Sequence, residues 1–276
     1  MEELAGKNAV VVGGGQGIGR GIALALAREG MDIAVLDIEA DAAESVADEI
    51  RGLGVRAVGL RADVTNTDYL NAAAREVTHV LGPVHVLSNN AGVVLPQGPI
   101  TDMRDSDWRF VFEVNLFGIV NCVQAFLPQM RAHGRGGHIV NTSSTAGLVA
   151  IHDLEVGVYT ASKYACNGYS EILRGELASE GIGVSVLCPG LIATDLSSTS
   201  ARNRPDRFGG PSEAPPPMPS EMAAQAMAPE DVGPIVVRGI KANRLTILTH
   251  PDIAVPLTQA RFEGIRADGE AEAAER

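Results

Sequence analysis

Positive charge, cysteine and long apolar runs are all scarce in this 276-residue chain, and each shortage removes a class of function. Lysine and arginine number 22 against 34 acidic residues, a net charge of −12 with a pI near 4.9. Nucleic acids and anionic membranes are bound through clustered basic surface, so neither is an expected partner. A small neutral or hydrophobic molecule fits this balance better. Cys122, Cys166 and Cys188 stand far apart, without the paired spacing of a zinc site or a redox motif, and read as buried thiols of a reducing compartment. His79, His85, His133, His138, His152 and His250 show no ligand spacing among themselves, so no metal is expected and catalysis should withstand a chelator. No apolar stretch reaches the roughly 20 residues that span a bilayer. The N-terminus MEELAGKNAV carries acids and enters a strand directly, without the basic flank and apolar core of a signal peptide. A soluble, cytoplasmic protein is expected.

What is present is an alternation. Short Val/Ile-rich runs are separated by longer amphipathic segments, the pattern of a parallel sheet covered by helices on both faces. Strands are expected near Ala9 to Val12, Ile33 to Leu36, Arg56 to Leu60, Val84 to Ser88, His138 to Thr142, Gly183 to Leu187 and Leu245 to Leu248. The longest helices are expected over Asp105 to Ala132 and Val158 to Glu180, where apolar residues recur at three and four. Apolar content of 45% suffices for one core, and neither a linker nor an internal repeat divides the chain. One doubly wound α/β domain over 1–267, with a seven-stranded parallel sheet, is the predicted architecture. Two segments break the pattern. Ser197 to Ser220 is rich in Ser, Pro, Gly and Arg, includes Pro215-Pro216-Pro217, and is expected to be a substrate lid. The tail 268–276 alternates acids with alanine and is expected to be disordered.

Ligands of such sheets sit beyond the carboxyl ends of the strands, so residues there are the functional candidates. Gly13-Gly14-Gly15-Gln16-Gly17-Ile18-Gly19 follows the first strand and opens a helix. Bare backbone lets a pyrophosphate approach, and the helix N-terminus offers unpaired N–H groups and a positive dipole end. A tight turn with no ligand is the plain alternative. Asp37 ends the second strand about twenty residues on, where an acid can accept from an adenosine ribose; its other reading is a helix N-cap. A carboxylate there would repel a 2′-phosphate, which favours NAD over NADP, with Arg20 as the cation that leaves the choice open. A dinucleotide-binding Rossmann fold follows from these features.

The fifth strand ends in Asn141-Thr142-Ser143-Ser144, and Tyr159-Thr160-Ala161-Ser162-Lys163 follows. A helix starting near Gly157 places Tyr159 and Lys163 one turn apart on one face. A free phenol titrates near 10 and is a poor base at neutral pH, but a neighbouring cation favours its ionised form. Tyr159 can then take an alcohol proton while Ser144 holds the same oxygen. Taken singly, a Tyr and Lys four apart are as well read as a surface pair, and Ser-Ser as a turn cap.

Jointly these motifs resemble the short-chain dehydrogenase/reductase family over about Gly6 to Leu196. The glycine pattern is carried by Gly13, Gly17 and Gly19, and the adenine contact by Asp63-Val64. Asn89 to Gly92 matches the Asn-Asn-Ala-Gly element, Asn115 the helix asparagine, and Ser144, Tyr159 and Lys163 the active-site set. Pro189-Gly190-Leu191-Ile192-Ala193-Thr194 is similar to the segment that holds a nicotinamide carboxamide. The resemblance implies that Gln16 and Ile18 lie on the cofactor, that Asn90 lies along its adenosine half, and that Asn115 positions a water linking Lys163 to solvent. Asn89 is expected to tie strands together. Three departures matter: Val12 replaces a frequent threonine, the Ser144 to Tyr159 interval is two residues longer than usual, and RLTILTHP at 244–251 lacks the glycine-rich ending of many bacterial ketoacyl reductases. In the enlarged loop, His152, Asp153 and Glu155 either touch substrate or are exposed loop residues.

The implied activity is interconversion of a secondary alcohol and a ketone with NAD, on a bulky hydrophobic or aromatic substrate. GRGGHIV and GIGVSVLCP are loosely similar to dehydrogenases of benzylic alcohols in lignin-type aryl ethers. A non-catalytic NAD-binding sensor and a nucleotide-sugar epimerase or dehydratase are the alternatives. The family also implies a homotetramer or homodimer with the two long helices at an interface.

Overall fold

Every residue of the run Asn8–Val12 is buried, as a parallel strand covered on both faces requires. Our computed structural model describes residues 1–95, 98–213 and 220–276, apart from the side chains of Asp153, Glu221 and Met222. The strands are β1 (Asn8–Val12), β2 (Asp32–Asp37), β3 (Ala57–Arg61), β4 (Val86–Asn89), β5 (Gly137–Thr142), β6 (Ile182–Cys188) and β7 (Thr246–Leu248). They form one parallel sheet in the order β3-β2-β1-β4-β5-β6-β7. The chain reverses its direction of winding between β1 and β4, opening a crevice above their carboxyl ends.

The helices are α1 (Gly17–Arg28), α2 (Ala40–Arg51), α3 (Thr67–Val80), α4 (Asp105–Phe112), α5 (Gly118–Ala132), α6 (Gly157–Leu177), α7 (Leu196–Arg202), α8 (Ser220–Ala223), α9 (Pro229–Lys241) and α10 (Pro251–Ala274). Side chains alternate across the strands, so β1 feeds two cores. Val10 and Val12 pack with Leu70, Val77, Ile119, Val123, Phe126 and Leu173 under α3, α5 and α6. Val11 packs with Ile22, Leu26, Val46, Ile50, Val236 and Ile240 under α1, α2 and α9.

Four expectations meet a different structure. Asp105–Ala132 is helical throughout, and its apolar window, mean hydropathy 1.7, is long enough to cross a bilayer. Charged and polar residues punctuate that stretch in sequence, and Phe110, Val111, Ile119, Val123 and Phe126 are buried on its inner face, as in a core helix. This helix also widens into a π turn over Glu113–Phe117, which joins α4 to α5. The expected lid is partly regular: α7 is followed by a 3-10 turn at Asp206–Phe208, while Pro215, Pro216 and Pro217 lie outside the described residues. The tail continues α10 as far as Ala274. Alanine and glutamate are strong helix formers, and elongating an existing helix needs no new nucleus.

Candidate active site

The glycine turn is held down by β2: Gly13 N and Gly14 N both donate to Leu36 O, at 2.7 and 3.1 Å. Gly13 adopts φ +71, and a Cβ there would lie 2.6 Å from Ala91 N, so neither the conformation nor the space admits a side chain. Gln16 precedes α1 without a side-chain cap, leaving first-turn N–H groups at the cavity that Gly13, Gln16, Gly17 and Ile18 line. Gly19 does not line it. A side chain at Gly19 would drive into the Gly13 carbonyl, so its part is to let α1 close on the turn.

Asp37 ends β2 facing this cavity. Its Oδ2 accepts from Gly15 N at 2.9 Å and its Oδ1 from Glu39 N at 3.1 Å. Burial pushes its pKa up, and those two N–H groups oppose the shift. Arg20 is turned away into ion pairs with Glu49 at 2.6 Å and Glu230 at 3.0 Å. Asp63 and Val64 line the same end, where Asp63 Oδ1 accepts from Thr65 N and Oγ1. Asn90 is a strut, donating to Gly13 O at 3.1 Å and accepting from Thr142 Oγ1 at 3.2 Å. Asn89 ties β4 to β5 through Asn141, 2.8 Å away, as its position suggested.

At the other end, Ser144 follows β5 and its Oγ accepts from Ala146 N, so it caps a short 3-10 turn while also lining the cavity. Tyr159 and Lys163 line it from α6. Lys163 Nζ lies 5.4 Å from the Tyr159 ring centroid and donates to Thr142 O at 2.9 Å; the residue is 3% exposed. Neighbouring Ser143 points the other way, its Oγ donating to Lys163 O at 3.0 Å. Asn115 sits in the π turn, fully buried and outside the cavity lining. Its Oδ1 accepts from Val93 N, and its Nδ2 donates to Val93 O and to Ser162 Oγ, which donates onward to Tyr159 O at 2.7 Å. The amide is thus engaged with protein groups, and the structure gives it a bracing part between Val93 and the Tyr159 turn. Ser162 carries no local signal in the sequence, because its partners come together only in space.

Pro189, Gly190, Ile192 and Thr194 line the cavity beyond β6. Pro189 O accepts from Thr145 N and Oγ1, and Gly190 N donates to Thr249 Oγ1, so the segment is fixed on both sides. The whole cavity is about 640 Å³. Val93, Phe110, Val114, Leu196 and Phe208 also line it, apolar residues that no motif marked. The segment expected to be a lid is tied down beside it: Val94 N donates to Ser200 Oγ, Arg204 meets Asp107 at 2.6 Å, and Arg207 donates to Thr65 Oγ1. Burial pushes the Asp107 pKa up, yet Arg104 and Arg204 outweigh it and bring the carboxyl down to about 2. In the enlarged loop, Gly98 pairs with Val156, and Glu155 takes a left-handed φ of 49. Neither His152 nor Glu155 lines the main cavity, and the Asp153 side chain lies outside the described residues.

A glycine turn, a strand-end carboxylate and a phenol beside a buried ammonium, all on one cavity, define an oxidoreductase site built on a dinucleotide fold. The short chain dehydrogenase model matches residues 7–205, and the chain belongs to that family. It is 33% identical over 269 residues to the C alpha-dehydrogenase of Sphingobium sp. strain SYK-6, covering 96% of this chain and 87% of that protein. It is 36% identical over 203 residues to a 3-oxoacyl-acyl-carrier-protein reductase of Staphylococcus epidermidis, covering 73% and 82%. A short chain dehydrogenase/reductase from Burkholderia phymatum, solved in complex with NAD, superimposes with a TM-score of 0.86 at 33% identity, covering 97% of both chains.

Proposed function

We propose that the protein is an NAD-dependent dehydrogenase or carbonyl reductase that interconverts a secondary alcohol and a ketone on a bulky, hydrophobic or aromatic substrate. The observation that carries this reading is the Lys163 ammonium, buried and 5.4 Å from the Tyr159 ring at the apolar end of a cavity whose other end fits a dinucleotide. The fit rests on the side-chain-free Gly13 turn, the exposed N-terminus of α1 and the Asp37 carboxylate. NAD supplies the hydride acceptor when bound.

Tyr159 takes the hydroxyl proton of the alcohol as the carbinol hydride departs, and returns it when the ketone is reduced. Lys163 places positive charge beside the phenol, and Ser144 holds the substrate oxygen. The walls of Val93, Phe110, Val114 and Phe208 exclude water and suit an aromatic group. An aryl secondary alcohol accords with this wall, and with the similarity to a protein named for oxidation at a Cα. The relative that is an acyl-carrier reductase supports a second, narrower reading, tested in the same assay.

The assay follows NADH with a panel of aryl, terpenoid and steroid alcohols and a 3-oxoacyl thioester. An aryl alcohol should be turned over best, and Tyr159→Phe should lower kcat by about 10²–10⁴-fold. Unchanged turnover in that variant overturns the mechanism, and tight NADH binding without turnover of any substrate points to a sensor.

A further inference from the structure

The lid is fastened at the adenosine end of the cavity as well as at the substrate end. We propose that Glu39 is a second determinant of cofactor choice, holding the lid residue Arg202 away from the position a 2′-phosphate would take. This rests on the NAD reading of the site.

Asp37 faces the cavity and accepts from the Glu39 N–H through Oδ1; the Glu39 carboxylate stands just behind the lining, bonded to the cavity-lining Asn203. Glu39 Oε1 accepts from Arg202 Nη2 at 2.7 Å, Arg202 Nε at 3.2 Å and Asn203 Nδ2 at 2.9 Å. Those bonds, Asn203 first and Arg202 next, hold the Glu39 carboxyl below its ordinary range. Three arginines flank this end. Arg20 is held by Glu49 and Glu230. Arg61, opposite Asp37 in the β2–β3 ladder, reaches Ile38 O and lies 5.8 Å from the Tyr69 ring. Arg202 is carried by the lid itself, between Thr199 and the cavity-lining Asn203, and among the described residues its polar contacts are both with Glu39 Oε1.

A phosphate dianion draws an arginine into a paired, two-bond contact. With Glu39 in place, that arginine is already neutralised and the carboxylate adds repulsion. The Arg202 and Glu39 side chains are 56% and 32% exposed, so the pair is weakly held and its cation can be redirected once the acid is gone.

The test is equilibrium titration of NADH and NADPH, read by cofactor fluorescence at low salt, for wild type, Glu39→Gln, Arg202→Gln and the double variant. Both single changes remove the Arg202–Glu39 ion pair, so the cost of losing that pair appears in both NADH affinities. The NADPH affinities should diverge. Glu39→Gln should tighten NADPH by about ten-fold, Arg202→Gln should weaken it by about three-fold, and the double variant should lose the gain. Unchanged NADPH affinity in Glu39→Gln overturns the proposal, as does a gain that survives in the double variant. Wild type binding NADPH as tightly as NADH would instead sink the NAD reading, while the ratio between variants still reports on Glu39.

Discussion

The floor and the roof of this site are fastened by opposite chemistry. Below, α6 with Tyr159 and Lys163 is pinned by buried neutral hydrogen bonds: Asn115 to Ser162, Ser143 to the Lys163 carbonyl, and Asn141 to Ser170 at 2.9 Å. Above, the proposed lid is held by three arginines, Arg202 on Glu39, Arg204 on Asp107 and Arg207 on Thr65, beside one neutral bond from Val94 to Ser200. Buried neutral bonds are short-ranged and indifferent to salt, so they hold reacting groups to a fraction of an ångström. Exposed ion pairs are worth little and weaken with ionic strength, so they suit a cover that must open. On the proposed function, this difference suits the floor to chemistry and the roof to access.

The Arg204–Asp107 contact crosses that division as a buried ion pair, and it should give the largest effect. Arg204 and Asp107 side chains are each only 8% exposed. Asp107→Ala leaves the guanidinium buried and uncompensated, at about 3–5 kcal/mol. At about 2–4 °C per kcal/mol, thermal unfolding should show a fall in Tm of roughly 10 °C. A variant as stable as wild type would erase the idea of a buried anchor within an otherwise loose lid.

Acid should separate the two regions next. Burial pushes His138 of β5 down to about 3 and His85, just before β4, down to about 4. An unfolded histidine takes its proton near pH 6.5, so below that pH the unfolded chain binds protons the folded chain refuses. Stability therefore falls on acidification from about 6.5, by about 2 kcal/mol for each histidine at pH 5. Asp107, held down to about 2, keeps its charge over that range, and its own contribution is lost only as pH falls from near 4 to about 2. Urea unfolding between pH 7.5 and 5 should thus weaken wild type and Asp107→Ala in parallel. A loss much larger in one than in the other would mean that the lid, too, titrates there.

Within the floor, Asn141→Ala should cost about 2 kcal/mol, since it leaves Asn89 Nδ2 without its acceptor inside the core and removes one of the two bonds of Ser170 Oγ, which keeps Cys166 O. The same change frees α6, so kcat should fall while NADH affinity, set largely at the other end of the cavity, moves little. An equal loss in both would remove the distinction between a positioning strut and general softening.

What the chain discloses before folding follows the same division. Strands buried on both faces are commonly continuous apolar runs, so β1 and β2 are plain in NAVVV and IAVL. The glycine turn and Tyr159-Lys163 are local spacings and equally plain. Asn115 is recognisable by motif, but its two-sided grip on Val93 depends on a π turn that no periodicity announces. LSSTSAR of α7 has no apolar stripe; it is helical where Ser200 meets Val94 and Arg202 meets Glu39. Contacts between segments 100 or more residues apart leave no trace in local pattern.

Arg207 offers the smallest and most discriminating change. It donates to Thr65 Oγ1 at 2.9 Å, lies 3.7 Å from Glu113 and has its guanidinium carbon 4.7 Å from the Phe208 ring centroid, with a side chain 51% exposed. Arg207→Ala should alter stability by less than about 0.5 kcal/mol, because an exposed pair returns little net energy. Its effect belongs to the opening of the lid, so NADH should dissociate about two- to three-fold faster in stopped flow at low salt, and the difference should vanish near 0.5 M salt. If the acceleration persisted at high salt, the contact that matters would be the arginine stem against Phe208, and the roof would then be held by packing, as the floor is held by neutral bonds, rather than by charge.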